Sequence, residues 1–133
     1  MIDLKTITKY VRSLIKRNMK LNSALIIDDE IDICILLKNY LNRKNTTATF
    51  STTLKEGIKK LKDEKPDILI LDHNLPDGHG IDMIKQIKKD NKSLFIIVIS
   101  AMSNLKNMAI NNGADYFLEK PISFSRLNEI LPQ

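Results

Sequence analysis

At 133 residues the chain has room for one domain and a short extension, with enough length for a real core. A hydrophobic fraction of 43% argues against disorder, no apolar run reaches the roughly 18 residues of a membrane span, and the lone Cys34 leaves no disulfide framework or cysteine-based metal site, so a cytoplasmic setting is expected. The net charge of +5 lies wholly in residues 1–22, where six basic residues meet one acid, while the remainder carries 15 of each, so neither nucleic acid nor a membrane is an expected partner of the globular body.

The first segment, residues 1–22, reads as a basic amphipathic helix: Ile2, Leu4, Ile7, Val11, Leu14, Ile15 and Met19 recur at helical spacing with cations mostly between them. It lacks the uninterrupted apolar core of a secretory signal. Its apolar stripe would pack on the domain or on a second copy, the latter giving a homodimer through this helix; docking to an acidic partner or a membrane surface is the alternative. Asn22-Ser23 breaks it from the second unit, residues 23–133.

From Ala24 onward strand and helix patterns alternate. Strand 24–28 precedes a helix over 31–43, with Ile31, Ile35, Leu36 and Tyr40 among its apolar positions. A weaker strand, 46–50, leads to a helix over 53–64, and Pro66 punctuates the chain before strand 67–72. The loop Asn74-Leu75-Pro76-Asp77-Gly78-His79-Gly80 introduces a helix over 81–89. Strand 94–100 is followed by a short helix over 104–111, then strand 115–119 and a final helix from Ser123 to Leu131. The last helix stops with the chain, and no output domain is expected after it. Five β-α units in a row predict an α/β fold, a five-stranded parallel sheet with helices on both faces and right-handed crossovers.

Four of the apolar runs end on residues that handle phosphate and metal. Ala24–Ile27 runs into Asp28-Asp29-Glu30, Ile68–Leu71 into Asp72, Leu94–Ile99 into Ser100, and Tyr116–Leu118 leads to Glu119-Lys120-Pro121. Ligands of an open α/β sheet sit at the carboxyl ends of its strands, so one crevice gathers three carboxylates, a hydroxyl and an ammonium. Each residue also has a bland reading: Asp28, Asp29 or Ser100 as a helix cap, Lys120 as a solvated loop cation. Coincidence of all of them at successive strand ends argues for a site. His73 and His79 read as exposed loop histidines, and Cys34 as a small core residue.

The pieces Asp28-Asp29, Asp72-His-Asn-Leu-Pro, Gly80, Ser100-Ala101, Gly113-Ala114-Asp115 and Lys120-Pro121, in this order, resemble the receiver domain of two-component response regulators over about residues 23–133. The resemblance implies the flavodoxin-like strand order 2-1-3-4-5. It implies Asp72 as phosphoacceptor and Mg2+ as cofactor, held by Asp29, Asp72 and the Asn74 backbone carbonyl, with Asp28 through water; Glu30 lies in the following loop or first helical turn. Lys120 and Ser100 would contact the phosphoryl oxygens, and Phe117 would be the switch aromatic. Asn74 and Met102 would tune dephosphorylation. The implied donor is a histidine kinase or phosphotransfer protein, and an unidentified downstream protein would read the signal.

Two departures stand out. Phe117 offers no hydroxyl where relatives can carry tyrosine, with Tyr116 on the opposite face. The Ser100–Lys120 interval of 20 residues is short for the family, which places a deletion in the loop and helix after Ser100. That deletion keeps a second reading in play, a receiver-fold binding adaptor in which phosphorylation is vestigial or modulatory. A phosphohydrolase is disfavoured because position 74 is Asn and no second acid follows the nucleophile closely.

Overall fold

The computed structural model describes residues 3–9, 11 and 21–131. Residues 4–9 and 11 are helical, with Asp3 Oδ1 accepting the Thr6 N–H at 2.7 Å as a cap. The other positions of the expected 2–20 helix fall outside the described residues. Leu4, Ile7 and Val11 are exposed.

The main body is five β-α units. The elements are β1 (Ser23–Ile27), α1 (Ile31–Arg43), β2 (Thr47–Ser51), α2 (Leu54–Glu64), β3 (Ile68–Asp72), α3 (Gly80–Asp90), β4 (Phe95–Ser100), α4 (Lys106–Asn112), β5 (Tyr116–Glu119) and α5 (Phe124–Ile130). The strands form one parallel sheet in the order β2-β1-β3-β4-β5. β3 and β4 are buried along their whole length, which is why they read as continuous apolar runs rather than alternating ones.

Alternation sends successive side chains to opposite faces. Ile26, Ile70 and Ile97 pack with Leu37 and Leu41 of α1 and Leu127 and Ile130 of α5. Leu25, Leu69 and Ile96 pack with Leu61 of α2, Ile84 of α3 and Ala109 of α4. Tyr116 and Phe117 divide between these faces as alternation requires.

Helix ends follow their sequence signals. Thr53 Oγ1 accepts the Glu56 N–H at 3.2 Å and Ser123 Oγ accepts the Arg126 N–H at 3.2 Å. Gly113 closes α4 at φ +119°, in the left-handed region that favours glycine. Only seven residues form α4, after a 3-10 turn over Ser103–Leu105. The short Ser100–Lys120 interval is therefore spent here.

The apolar face of α1 differs from expectation. Its buried stripe is Cys34, Leu37, Tyr40 and Leu41, whereas Ile31, Ile35 and Leu36 are 55, 44 and 55% exposed. The helix has too many apolar residues for one face, and the stripe that meets the sheet is the one containing Cys34 and Leu41.

The loop after β3 carries a two-residue antiparallel ribbon pairing Asn74–Leu75 with Gly78–His79. Asp77 ties it to α2 by accepting the Leu54 and Lys55 N–H groups at 2.7 and 2.8 Å. At Gly80 the chain returns so closely to β3 that a Cβ would lie 2.2 Å from the Asp72 carbonyl oxygen and 2.9 Å from Leu71 Cγ. Gly80→Ala is therefore expected to destabilise the fold by about 1–3 kcal/mol. Urea denaturation checks this, and an unchanged midpoint would contradict the close approach.

Candidate functional site

The carboxyl ends of β1, β3, β4 and β5 bring the sequence-selected residues to one crevice. Asp28 and Asp72 are buried, Asp29 is exposed, and one carboxylate oxygen from each lies within 4.8 Å of the others. Lys120, just beyond β5, reaches in among them. Its Nζ is 3.0 Å from Asp28 Oδ2, 3.0 Å from Glu30 Oε2 and 3.3 Å from Asp72 Oδ2.

Two of these residues also hold local turns, although neither is the helix cap that its position allowed. Asp28 Oδ1 accepts the Glu30 N–H at 2.8 Å, holding the turn into α1 while Oδ2 faces the lysine. Ser100 is buried and its Oγ accepts the Met102 N–H at 3.0 Å, leaving the hydroxyl proton available for donation. Lys120, in contrast, is no solvated cation, since its side chain is only 15% exposed.

The other predicted residues are not members of this ion-pair cluster. Asn74 is exposed on the ribbon opposite His79. Met102 is 42% exposed. Phe117 is half-buried and lines a shallow groove with Ser103, Lys106 and Arg126.

Burial and crowding set the titration of the site. Burial and the Asp28 charge push the Asp72 carboxyl up to about 6, against the opposing pull of Lys120. Burial also raises Asp28, although the Glu30 N–H and Lys120 oppose it. For Lys120, burial acts downward, but close pairing with Asp28 and Glu30 and the charges of Asp28 and Asp72 outweigh it and the net direction is up. One ammonium thus leaves the cluster short of positive charge. An oxygen-only donor set with excess negative charge fits a magnesium ion.

Sequence reasoning missed two residues. Glu30 joins the Lys120 cluster although it read as an adjacent loop acid; its one signal was its place directly after the Asp28-Asp29 pair. His73, expected exposed, is buried behind Asp72, stacked on His79 with centroids 4.7 Å apart, and its Nδ1 accepts the Ile81 N–H at 3.4 Å. Alternation at the end of β3 explains this: Asp72 and His73 point to opposite faces, and His73 meets α3. Cys34 is buried as expected, donating Sγ–H to the Asp28 carbonyl at 3.2 Å, and burial with the nearby Asp28 charge pushes its thiol up to about 12.

The family model described as "Response regulator receiver domain" matches residues 24–132. Chemotaxis protein CheY of Thermotoga maritima is 37% identical over 111 residues, covering 81% of this chain and 92% of that protein. Response regulator protein PilR of Pseudomonas aeruginosa is 34% identical over 115 residues, covering 85% of this chain but only 26% of PilR. The solution structure of the beryllofluoride-activated NtrC4 receiver domain dimer superposes with a TM-score of 0.76 at 34% identity, covering 82% of this chain and 93% of that one.

The raised Asp72 pKa gives a signed prediction. Between its ordinary value of 3.8 and about 6, the folded state holds a proton that the unfolded state has released. Protonation therefore supports the fold fully below about pH 4, and that support is lost as pH rises through about 6. With metal chelated, Asp72→Asn should exceed the parent in stability at pH 7.5 by about 1–3 kcal/mol. The gap should close by pH 4; a gap independent of pH in denaturation curves would contradict the assignment.

Proposed function

The chain belongs to the response regulator receiver family of two-component signal transduction, and on that premise we propose that Asp72 is the phosphoacceptor of its 23–133 unit. The observation that carries this reading is the gathering of Asp28, Asp29 and Asp72 within 4.8 Å, with Lys120 Nζ 3.3 Å from Asp72. The donor is the phosphohistidine of a histidine kinase or phosphotransfer protein. An Asp72 carboxylate oxygen attacks phosphorus, the P–N bond breaks, and the electron pair leaves with the imidazole, which takes up a proton. No helix of the described residues is long and apolar enough to cross a membrane; a cytoplasmic setting is proposed from the family alone.

Charge develops on the transferring phosphoryl oxygens, and Lys120 is placed to stabilise it, with Ser100 donating its hydroxyl once the phosphoryl group is in place. A magnesium ion held by Asp29, Asp72 and the Asn74 carbonyl, with Asp28 through water, would supply the remaining positive charge there. Lys120 leaves Asp28 and Asp72 for the phosphoryl group and draws on β5, so phosphorylation biases the position of Phe117, three residues away, and a downstream protein reads that two-state change. The exposed Leu4, Ile7 and Val11 support a contact between N-terminal helices of two copies, and the NtrC4 receiver is described as a dimer.

Incubation with acetyl phosphate and magnesium, followed by intact-mass measurement, should add one phosphoryl group to the parent. Addition should be lost with chelator or in Asp72→Asn. Undiminished uptake in Asp72→Asn would overturn the reading, and no uptake by the parent would favour the adaptor alternative, which the two-turn α4 suits.

The exposed thioether of Met102 cannot hold an attacking water in line with phosphorus. Met102→Glu should change the decay rate of the phosphorylated protein by about threefold or more, whereas the exposed substitution Lys89→Glu should leave it unchanged. A decay rate indifferent to residue 102 would remove that side chain from the site.

A further inference from the structure

The Lys120 ammonium has three N–H donors and three carboxylate partners, and the three are not equivalent. The side chains of Asp28 and Asp72 are 0 and 6% exposed and belong to the cluster that fits a divalent cation. Glu30 is 57% exposed at the rim and lies outside that cluster. Its main chain is nevertheless fixed, because its N–H donates to Asp28 Oδ1 at 2.8 Å and its carbonyl accepts the Cys34 N–H at 3.1 Å in the first turn of α1.

Lys120 is the cation that already neutralises the cluster, so it competes with any divalent ion for Asp28 and Asp72. Two like charges a few ångströms apart repel strongly in a partly buried site. Lys120 must yield, and the one partner it can keep is Glu30.

We propose that Glu30 is a positioning residue that anchors the Lys120 ammonium at the rim of the carboxylate cluster, so that Lys120 shifts onto Glu30 when a divalent cation is bound. Glu30 thereby raises the affinity for that cation without touching it. It also keeps Lys120 beside Asp72, where the proposed transfer needs it, rather than in bulk water. This inference rests on the phosphoacceptor reading of the site.

Calorimetric magnesium titration of the full chain tests it. Asp29→Ala, which removes a direct ligand, should weaken binding by about tenfold or more. Glu30→Gln should weaken it about two- to fivefold. Glu30→Asp keeps the charge but withdraws it from Nζ, and should behave like Glu30→Gln rather than like the parent. Asp32→Asn, an exposed acid of the same helical turn that makes no ion pair with a described residue, should change little.

Lys120→Met should strengthen magnesium binding, and in that background Glu30→Gln should have almost no effect. A Glu30→Gln loss that persists undiminished without Lys120 would show a charge effect through space and overturn the proposal. Parent-like binding by Glu30→Asp would overturn it as well, and that comparison needs no change at Lys120. Magnesium binding that is absent in the parent, or indifferent to Asp29, would overturn the phosphoacceptor reading and the proposal together.

Discussion

Three carboxylates and one ammonium converge where the strands of the parallel sheet end, and this unbalanced charge is the constraint around which the chain is built. Two of the carboxylates, Asp28 and Asp72, are buried, where ionisation is costly unless it is paired. Their partner Lys120 comes from beyond the far edge of the sheet, so the ion pairs connect the ends of β1, β3 and β5. The fold can hold this arrangement because the strands beneath it are apolar on both faces. Loss of the lysine would leave Asp28 buried without its cation, a more damaging change than loss of an exposed charge.

The parts around the cluster keep its members in place. Gly80 lets the chain pass directly over the Asp72 carbonyl. Asp77 holds the ribbon carrying Asn74 against the first turn of α2. Asp115 accepts the Ile96 N–H at 2.8 Å and pairs with Lys88 at 3.3 Å, fixing the start of β5 beside β4. Ser100 and Asp28 each serve local geometry with one oxygen lone pair while presenting other atoms to the crevice. Local-turn and functional readings of such residues are therefore compatible, and a turn-holding hydrogen bond does not argue against a site.

Much of this was legible in the sequence because it depends on period and position. Fully buried parallel strands write themselves as apolar runs, and their last residues must lie at one edge, so Asp28, Asp72, Ser100 and Lys120 could be brought together from sequence order. What was illegible depends on direction. The helix α1 carries apolar residues on more than one face, and nothing in its pattern says that Cys34 and Leu41 meet the sheet while Ile31, Ile35 and Leu36 do not. His73 is polar and follows a strand, which reads as a loop residue, yet alternation turns it inward against α3. The grip of Glu30 on Lys120 spans 90 residues and has no local signal beyond the acidic triplet itself.

The proposed chemistry requires Asp72, of the three clustered carboxylates, to take the phosphoryl group. Hydride reduction of the acyl phosphate after loading with a phosphodonor, followed by peptide sequencing in a mass spectrometer, locates the modified residue directly. Reduction is expected at Asp72 alone, with Asp28 and Asp29 unchanged. Modification at Asp28 or Asp29, or a phosphoryl group recovered on His73, would contradict it.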